Sequence, residues 1–164
     1  MSLLAVLLLV STSLCALVTG LVFTYALIVM PGLSRLDDRD FIRAFQVTDQ
    51  IIQARQPVFM VVWVGSTLSV FVTMVTAMLG SNGYAGWSVV VIGCAYVFGV
   101  QGITVAVHLP LNNQIQSVRV DEMDSESLHQ QRERFEARWN YFNKARVGIA
   151  CVVTTSLMVV LGTI

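Results

Sequence analysis

The sequence predicts an all-α fold, a four-helix transmembrane bundle with cytoplasmic helical extensions, and three observations carry that reading. Of the 164 residues, 55% are hydrophobic and 12% are charged, with a mean hydropathy of +0.72, against about 45–50% apolar and 25% charged in an average soluble domain. The charges are confined: the first 34 residues carry none, the 63 residues from Gln56 to Val118 carry none, and the last 18 from Val147 to Ile164 carry none. Finally, the tetrapeptide Gly80-Ser81-Asn82-Gly83 is a turn signal in the middle of the long uncharged block. It divides that block in two, because one span takes only about 20 residues.

The first element, residues 3–30, is an apolar run about twice as long as a signal peptide allows, with no basic residue ahead of it, so it reads as a retained span. An amphipathic helix follows from Asp38 to Gln56. It sets Phe41, Phe45, Thr48 and Ile52 on one face and Gln46, Asp49, Gln53 and Gln56 on another. Pro57 then suits the first turn of the second span, 58–79. The third span, 85–107, runs into His108-Leu109-Pro110-Leu111-Asn112-Asn113, where Pro110 is expected to stop or kink the helix and the asparagines to meet the freed carbonyls. A mobile acidic stretch is expected from Asp121 to Glu126. Asp124 or Ser125 can cap a last helix whose stripe is Leu128, Phe135, Trp139, Phe142 and Arg146. No breaker separates it from the fourth span, 145–164, whose 18 uncharged residues at 1.5 Å each make about 27 Å against a hydrocarbon core of roughly 30 Å. The chain 1–164 reads as a single integral membrane domain.

Lys plus Arg and Asp plus Glu both number 10, so there is no positive excess for a nucleic acid to neutralise, and membrane lipid is the expected partner. All the Lys and Arg residues fall in two loops: Arg35, Arg39, Arg43 and Arg55 in the first, and Arg119, Arg132, Arg134, Arg138, Lys144 and Arg146 in the second. The positive-inside rule puts both loops in the cytoplasm and both termini outside, as in a multi-pass protein of the cell membrane. No Asp, Glu, Lys or Arg lies deep in a span, which argues against a pump or a proton relay. Cys15, Cys94 and Cys151 are odd in number and unspaced for metal, so they read as buried thiols, and His108 and His129 are not spaced as a ligand pair; no metal is expected. Small residues recur every four positions at Thr12, Ala16, Gly20 and Thr24, and again at Gly65, Ser69, Thr73 and Ala77. The third span has Ala95 and Gly99 beside Gly102 and Ala106. Such stripes predict close helix crossings in lipid.

Polar chemistry collects at the cytoplasmic ends of the helices. Trp139, Asn143 and Arg146 project within about 60° of one another at 100° per residue. They suit either an interfacial anchor at the headgroups or a shared polar site. The amide stripe of the Asp38 to Gln56 helix likewise faces either water or a cleft.

The pattern Gln46-x-x-Asp49-x6-Gln56-Pro57-x-Phe59, then Pro110-Leu111-Asn112-Asn113, then Trp139-x-x-x-Asn143-x-x-Arg146 resembles the anthrone oxygenase-like family of small four-helix membrane proteins. The resemblance covers nearly the whole chain, with departures at Asp49 and Gln56, where the family pattern carries Asn. It implies an oxygenase that turns polyketide anthrones into anthraquinones with no conventional cofactor. An anthrone is an acidic carbon acid whose anion can pass an electron to dioxygen. The protein must then supply a base, donors for the enolate oxygen and a dry pocket. On that reading Asp49 or His108 is the base, Asn112 and Asn143 are amide donors, Arg146 stabilises the anion and Trp139 is an aromatic wall. Gln46, Gln56 and Asn113 are further substrate contacts, and the ligand is a small hydrophobic aromatic. The same residues suit a non-catalytic membrane protein, accessory or structural, or one that binds a lipid headgroup or a quinone. Spacing alone does not choose between them.

Overall fold

The computed structural model describes residues 2–80 and 84–163, so the turn expected at 81–83 lies outside the described residues. Five helices make up almost all of it: α1 Leu3–Leu33, α2 Asp38–Gln53, α3 Pro57–Gly80, α4 Gly86–Gln116 and α5 Ser125–Gly162. α1, α3, α4 and α5 are each long and apolar enough to cross a membrane, and the chain is a multi-pass membrane protein. They close a ring in which α1 packs on α3 and α5, and α4 packs on the same two helices from the other side.

The sequence explains where the helices begin. Ser2, Asp37 and Asp124 stand in extended backbone just ahead of α1, α2 and α5, and each side chain accepts a backbone N–H three residues on, from Ala5, Asp40 and Ser127. These bonds satisfy donors that the first turn leaves over. Those from Ser127 hold the Asp124 carboxyl below its ordinary value. Pro57 opens α3, where a missing N–H costs nothing.

Pro110 does not stop α4, because the helix runs on to Gln116, whereas α1 ends at Leu33, two residues past Pro31. Ahead of both prolines the backbone widens into a π-turn, over Tyr25–Val29 and over Thr104–His108. The Met30 N–H therefore reaches the Tyr25 carbonyl and the Leu109 N–H reaches that of Thr104, five residues back. A proline ring collides with the carbonyl four residues before it, and the wider turn moves that carbonyl aside.

The middle of the bundle is apolar, with Leu8, Cys15 and Val22 of α1 meeting Val70 and Ala77 of α3, Tyr96 and Val100 of α4, and Val153 of α5. Several polar groups here pair with one another in the absence of water, although the buried Thr12 hydroxyl has no such partner. The Ser11 and Thr73 hydroxyls lie 2.8 Å apart, and those of Thr19 and Thr154 lie 2.9 Å apart. The Tyr96 hydroxyl donates to Ser66 Oγ at 2.7 Å. Cys15 is buried as expected, whereas Cys94 and Cys151 are only half-buried.

The small-residue stripes hold in part. A Cβ added at Gly99 would sit 2.8 Å from Ile149 Cγ2, so α4 and α5 do cross closely there. Nothing lies within 4 Å of one added at Gly20, and Thr24, Ala95 and Ala106 are exposed. On α1 the inward face is set instead by Leu8, Ser11, Cys15, Val18 and Val22, whose larger apolar members gain more from packing than the glycine does.

The stretch expected to be mobile, Asp121 to Glu126, is strapped to α2. The Arg39 guanidinium donates to the carbonyls of Val120 at 2.7 Å and Met123 at 3.1 Å, and Arg43 pairs with Asp121. Val120 is buried beneath it. Counting polar letters hides this, because the backbone carbonyls and the one valine do the anchoring. α2 in turn packs on the first half of α5 and on the end of α4, burying Phe41, Ile42 and Phe45 against Phe135 and Trp139.

Candidate functional site

All five helices contribute to a cavity of about 380 Å³ at the end of the bundle where the charged segments gather. α1 brings Leu21 and Tyr25; α2 brings Phe45, Asp49 and Ile52; α3 brings Phe59, Met60 and Trp63; α4 brings Thr104, His108 and Asn112; α5 brings Trp139 and Arg146. A larger open groove, about 540 Å³, lies between α4 and α5 beside Ile92 and Cys151, but aliphatic and hydroxyl side chains line it and no charged group does. The chemistry belongs to the smaller space.

Two polar clusters are built into its walls. In the first, the buried Asp49 carboxylate accepts three amide donors: Asn112 Nδ2 at 2.8 Å on Oδ1, and Gln53 Nε2 and Gln116 Nε2, each at 3.1 Å, on Oδ2. Asn112 Oδ1 accepts the Trp139 indole N–H at 3.0 Å. That bond fixes the indole edge-to-face against the His108 ring, with centroids 5.1 Å apart and planes at 83°. Tyr25 and Phe45 pack on the same indole at 5.8 and 6.0 Å. The chain from carboxylate to amide to indole to imidazole is continuous.

In the second cluster the Arg146 guanidinium, 6% exposed, donates to Thr104 Oγ1 at 2.9 Å and to Asn143 Oδ1 at 2.7 Å. Asn143 is fully buried and hands its own amide N–H to the Val22 carbonyl at 3.2 Å, where it ties α5 to α1. No carboxylate lies within ion-pair distance of Arg146 among the described residues. Among the described residues two buried side-chain nitrogens lack a hydrogen-bond partner, His108 Nε2 and Arg146 Nε. The His108 Nδ1 faces the Ile103 carbonyl at 3.5 Å. A cation buried without its counter-ion is costly unless something anionic joins it.

Of the residues singled out in the sequence, Asp49, His108, Asn112, Trp139 and Arg146 line the cavity together. Asn143 stands behind Arg146 and orients it. Gln46, Gln56 and Asn113 do not line it. Gln46 donates to the carbonyls of Ile115 and Val118, Gln56 accepts the Phe59 N–H at the start of α3, and Asn113 is exposed, accepting from Gln53. These three amides meet backbone or surface groups because the connections between helices leave polar backbone close to them.

Sequence reasoning missed Thr104 and Gln116, along with the walls Tyr25, Met60 and Trp63. Gln116 is four residues after Asn112 on α4, one helical turn, and could have been found by that spacing. Thr104 could not, since its link to Arg146 crosses between helices 42 residues apart.

A family model described as anthrone oxygenase matches residues 49–156, a range that holds every polar residue of both clusters. No curated protein and no solved structure matches the chain.

Proposed function

The chain belongs to the anthrone oxygenase family, and from that premise we propose that it is a membrane oxygenase that oxidises the methylene of an anthrone-like aromatic carbon acid to a carbonyl. The observation that carries this reading is the presence, in the lining of one largely apolar cavity, of a buried guanidinium without a carboxylate partner and a buried imidazole with a free nitrogen. Aromatic walls hold the flat ligand, and the two nitrogen groups act on opposite ends of the charge that forms on it.

His108 is the base. The Asp49 lone pairs are engaged by three amides, whereas Nε2 of His108 has no partner; with the single N–H of the neutral ring on Nδ1 and directed at the Ile103 carbonyl, Nε2 is the acceptor. It takes one proton from the substrate methylene, and the charge passes to the carbonyl oxygen, where Arg146 stabilises it. The anion gives one electron to dioxygen, and the two radicals join in a carbon–oxygen bond; with the proton returned, a hydroperoxide forms on that carbon. Removal of the remaining proton expels the outer oxygen as water and leaves a carbonyl. Dioxygen is the oxidant; one of its atoms stays in the product and the other leaves as water. Asp49 acts as a positioning residue through Asn112 and Trp139.

Purified protein in air with anthrone tests this. Oxygen uptake should match quinone formed and exceed the spontaneous rate with heat-denatured protein. His108→Ala and Arg146→Ala should each lose about 10²-fold or more of that excess, the usual contribution of a general base or an oxyanion donor. Uptake no faster than the denatured control overturns the oxygenase reading. Tight binding without turnover would instead favour a non-catalytic protein holding an aromatic ligand.

A further inference from the structure

The walls of the cavity are uneven. α3 packs along the first part of α4, up to Cys94, and beyond it, apart from the hydrogen bond between Tyr96 and Ser66, no comparable packing joins the two helices. The two helices part toward the cavity end, over the length where α4 is widened by π-turns. Phe59 and Met60 form one rim of the gap, and Val105 and Leu109 form the other. Val105 is 63% exposed and Leu109 42% exposed, yet both line the cavity, so the space reaches the outer surface of the bundle between them. That surface is the lipid-facing one: beside the gap α3 exposes Val58 and Val61, and further along Leu68 and Phe71.

α2 gives independent evidence for the depth of this opening. Its outward stripe changes character along the helix, from Asp40 and Arg43 to Val47, Ile51 and Ala54, all exposed. Val47 and Ile51 are 65% and 60% exposed, and the stripe continues into Val58 of α3 after the turn at Arg55. A helix with a second apolar face that strengthens toward a membrane-entering proline lies with that end in the headgroup and acyl boundary. Arg55 and Gln53, at the polar corner of the cavity, then mark the headgroup level, and the gap between α3 and α4 lies beside the acyl chains.

We propose that the cavity is loaded sideways from the membrane, through the opening between α3 and α4 rimmed by Phe59, Met60, Val105 and Leu109, and that its ligand is an apolar aromatic dissolved in the bilayer. This rests on the ligand being aromatic, as in the proposed function, and not on its oxidation. A lipid route also keeps the buried guanidinium dry, because no water-filled channel has to open past it.

Loading can be followed without any reaction. Anthracene has no acidic methylene and accepts energy from tryptophan, and Trp63 and Trp139 both line the cavity. Protein in liposomes is mixed with anthracene, and energy transfer is recorded over time. In the paired variant Val105→Phe, Leu109→Phe, loading and release should both slow by roughly tenfold, about 1.4 kcal/mol of barrier, with the final level of transfer unchanged. Val105→Phe alone should be intermediate. Both positions face outward, so the added ring does not disturb the core. Leu68→Phe, on the outer face of α3 away from the cavity, should leave the rate as it is. Unchanged loading in the paired variant overturns the proposal, as does equal or greater slowing in Leu68→Phe, a shift in the final level alone, or no transfer above protein-free lipid in the parent. Failure of the oxygen-uptake experiment leaves this result standing.

Discussion

Arg146 keeps its charge in a nearly closed space by dividing its fork between Thr104 on α4 and Asn143 on its own helix. Lysine would keep the charge but could not span both acceptors, because a single ammonium has no planar fork. Arg146→Lys should therefore lower stability in detergent by about 1.5–3 kcal/mol, the range for hydrogen bonds to a charged group, as read by thermal melting. Pairing it with Asn143→Ala should give a coupling of about 0.5–3 kcal/mol, since both changes remove the same bond. Small and additive effects would make Arg146 an ordinary interfacial anchor. The spacing of three between Asn143 and Arg146 made their contact legible in the sequence. The absence of a carboxylate opposite Arg146 was not, because it depends on which faces of other helices turn toward it.

At the scale of the helices, close approach is local to particular glycines. The Gly99 position on α4 has no room for a Cβ beside Ile149, whereas Gly20 on α1 faces open space. Gly99→Leu should cost about 1–3 kcal/mol of overpacking, with lower melting in detergent, and Gly20→Leu should melt with the parent. Equal melting of the two variants would mean that α4 and α5 do not cross at Gly99. Four-residue periodicity identified both glycines as candidates but could not rank them. Helices α1 and α4 each bury a face defined by their larger side chains, and a glycine joins the interface only where that face passes under it. Pro110 carries a similar lesson: it was readable as a local break, and a π-turn absorbs it because the packing on either side favours a continuous helix.

For the whole molecule, the start of α1 and the end of α5 lie at the end of the bundle opposite the cavity, and the cavity end carries every Lys and Arg. α5 has 38 residues, and at 1.5 Å each it extends about 57 Å, well beyond a hydrocarbon core of roughly 30 Å. Its first half, with Arg132, Arg134 and Arg138, therefore stands clear of the bilayer and carries α2. Arg132 staples the two by donating to Asp38 at 3.0 Å and to the carbonyls of Ser34 and Leu36. The positive-inside rule then predicts a cytoplasmic cavity end. A reporter active only in the cytoplasm should be silent at either terminus and active when inserted between Arg119 and Glu122; activity at a terminus would reverse the orientation.

The sequence by itself determined the number of spans, the cap of the last helix as one of two neighbouring residues and the end at which polar chemistry collects. Charge segregation, capping and hydrophobic run length are properties of neighbouring residues, so they can be read without the fold. Tertiary structure alone decided that Asp49, His108, Asn112, Trp139 and Arg146 share one cavity while Gln46, Gln56 and Asn113 turn to other partners. It also decided that α3 and α4 part on one side. Those outcomes depend on the rotation of each helix about its axis, which is set by packing between residues as much as 135 positions apart, as in the paired hydroxyls of Thr19 and Thr154. No local pattern encodes that rotation, because every face of an apolar helix satisfies the membrane equally well until its neighbours are in place.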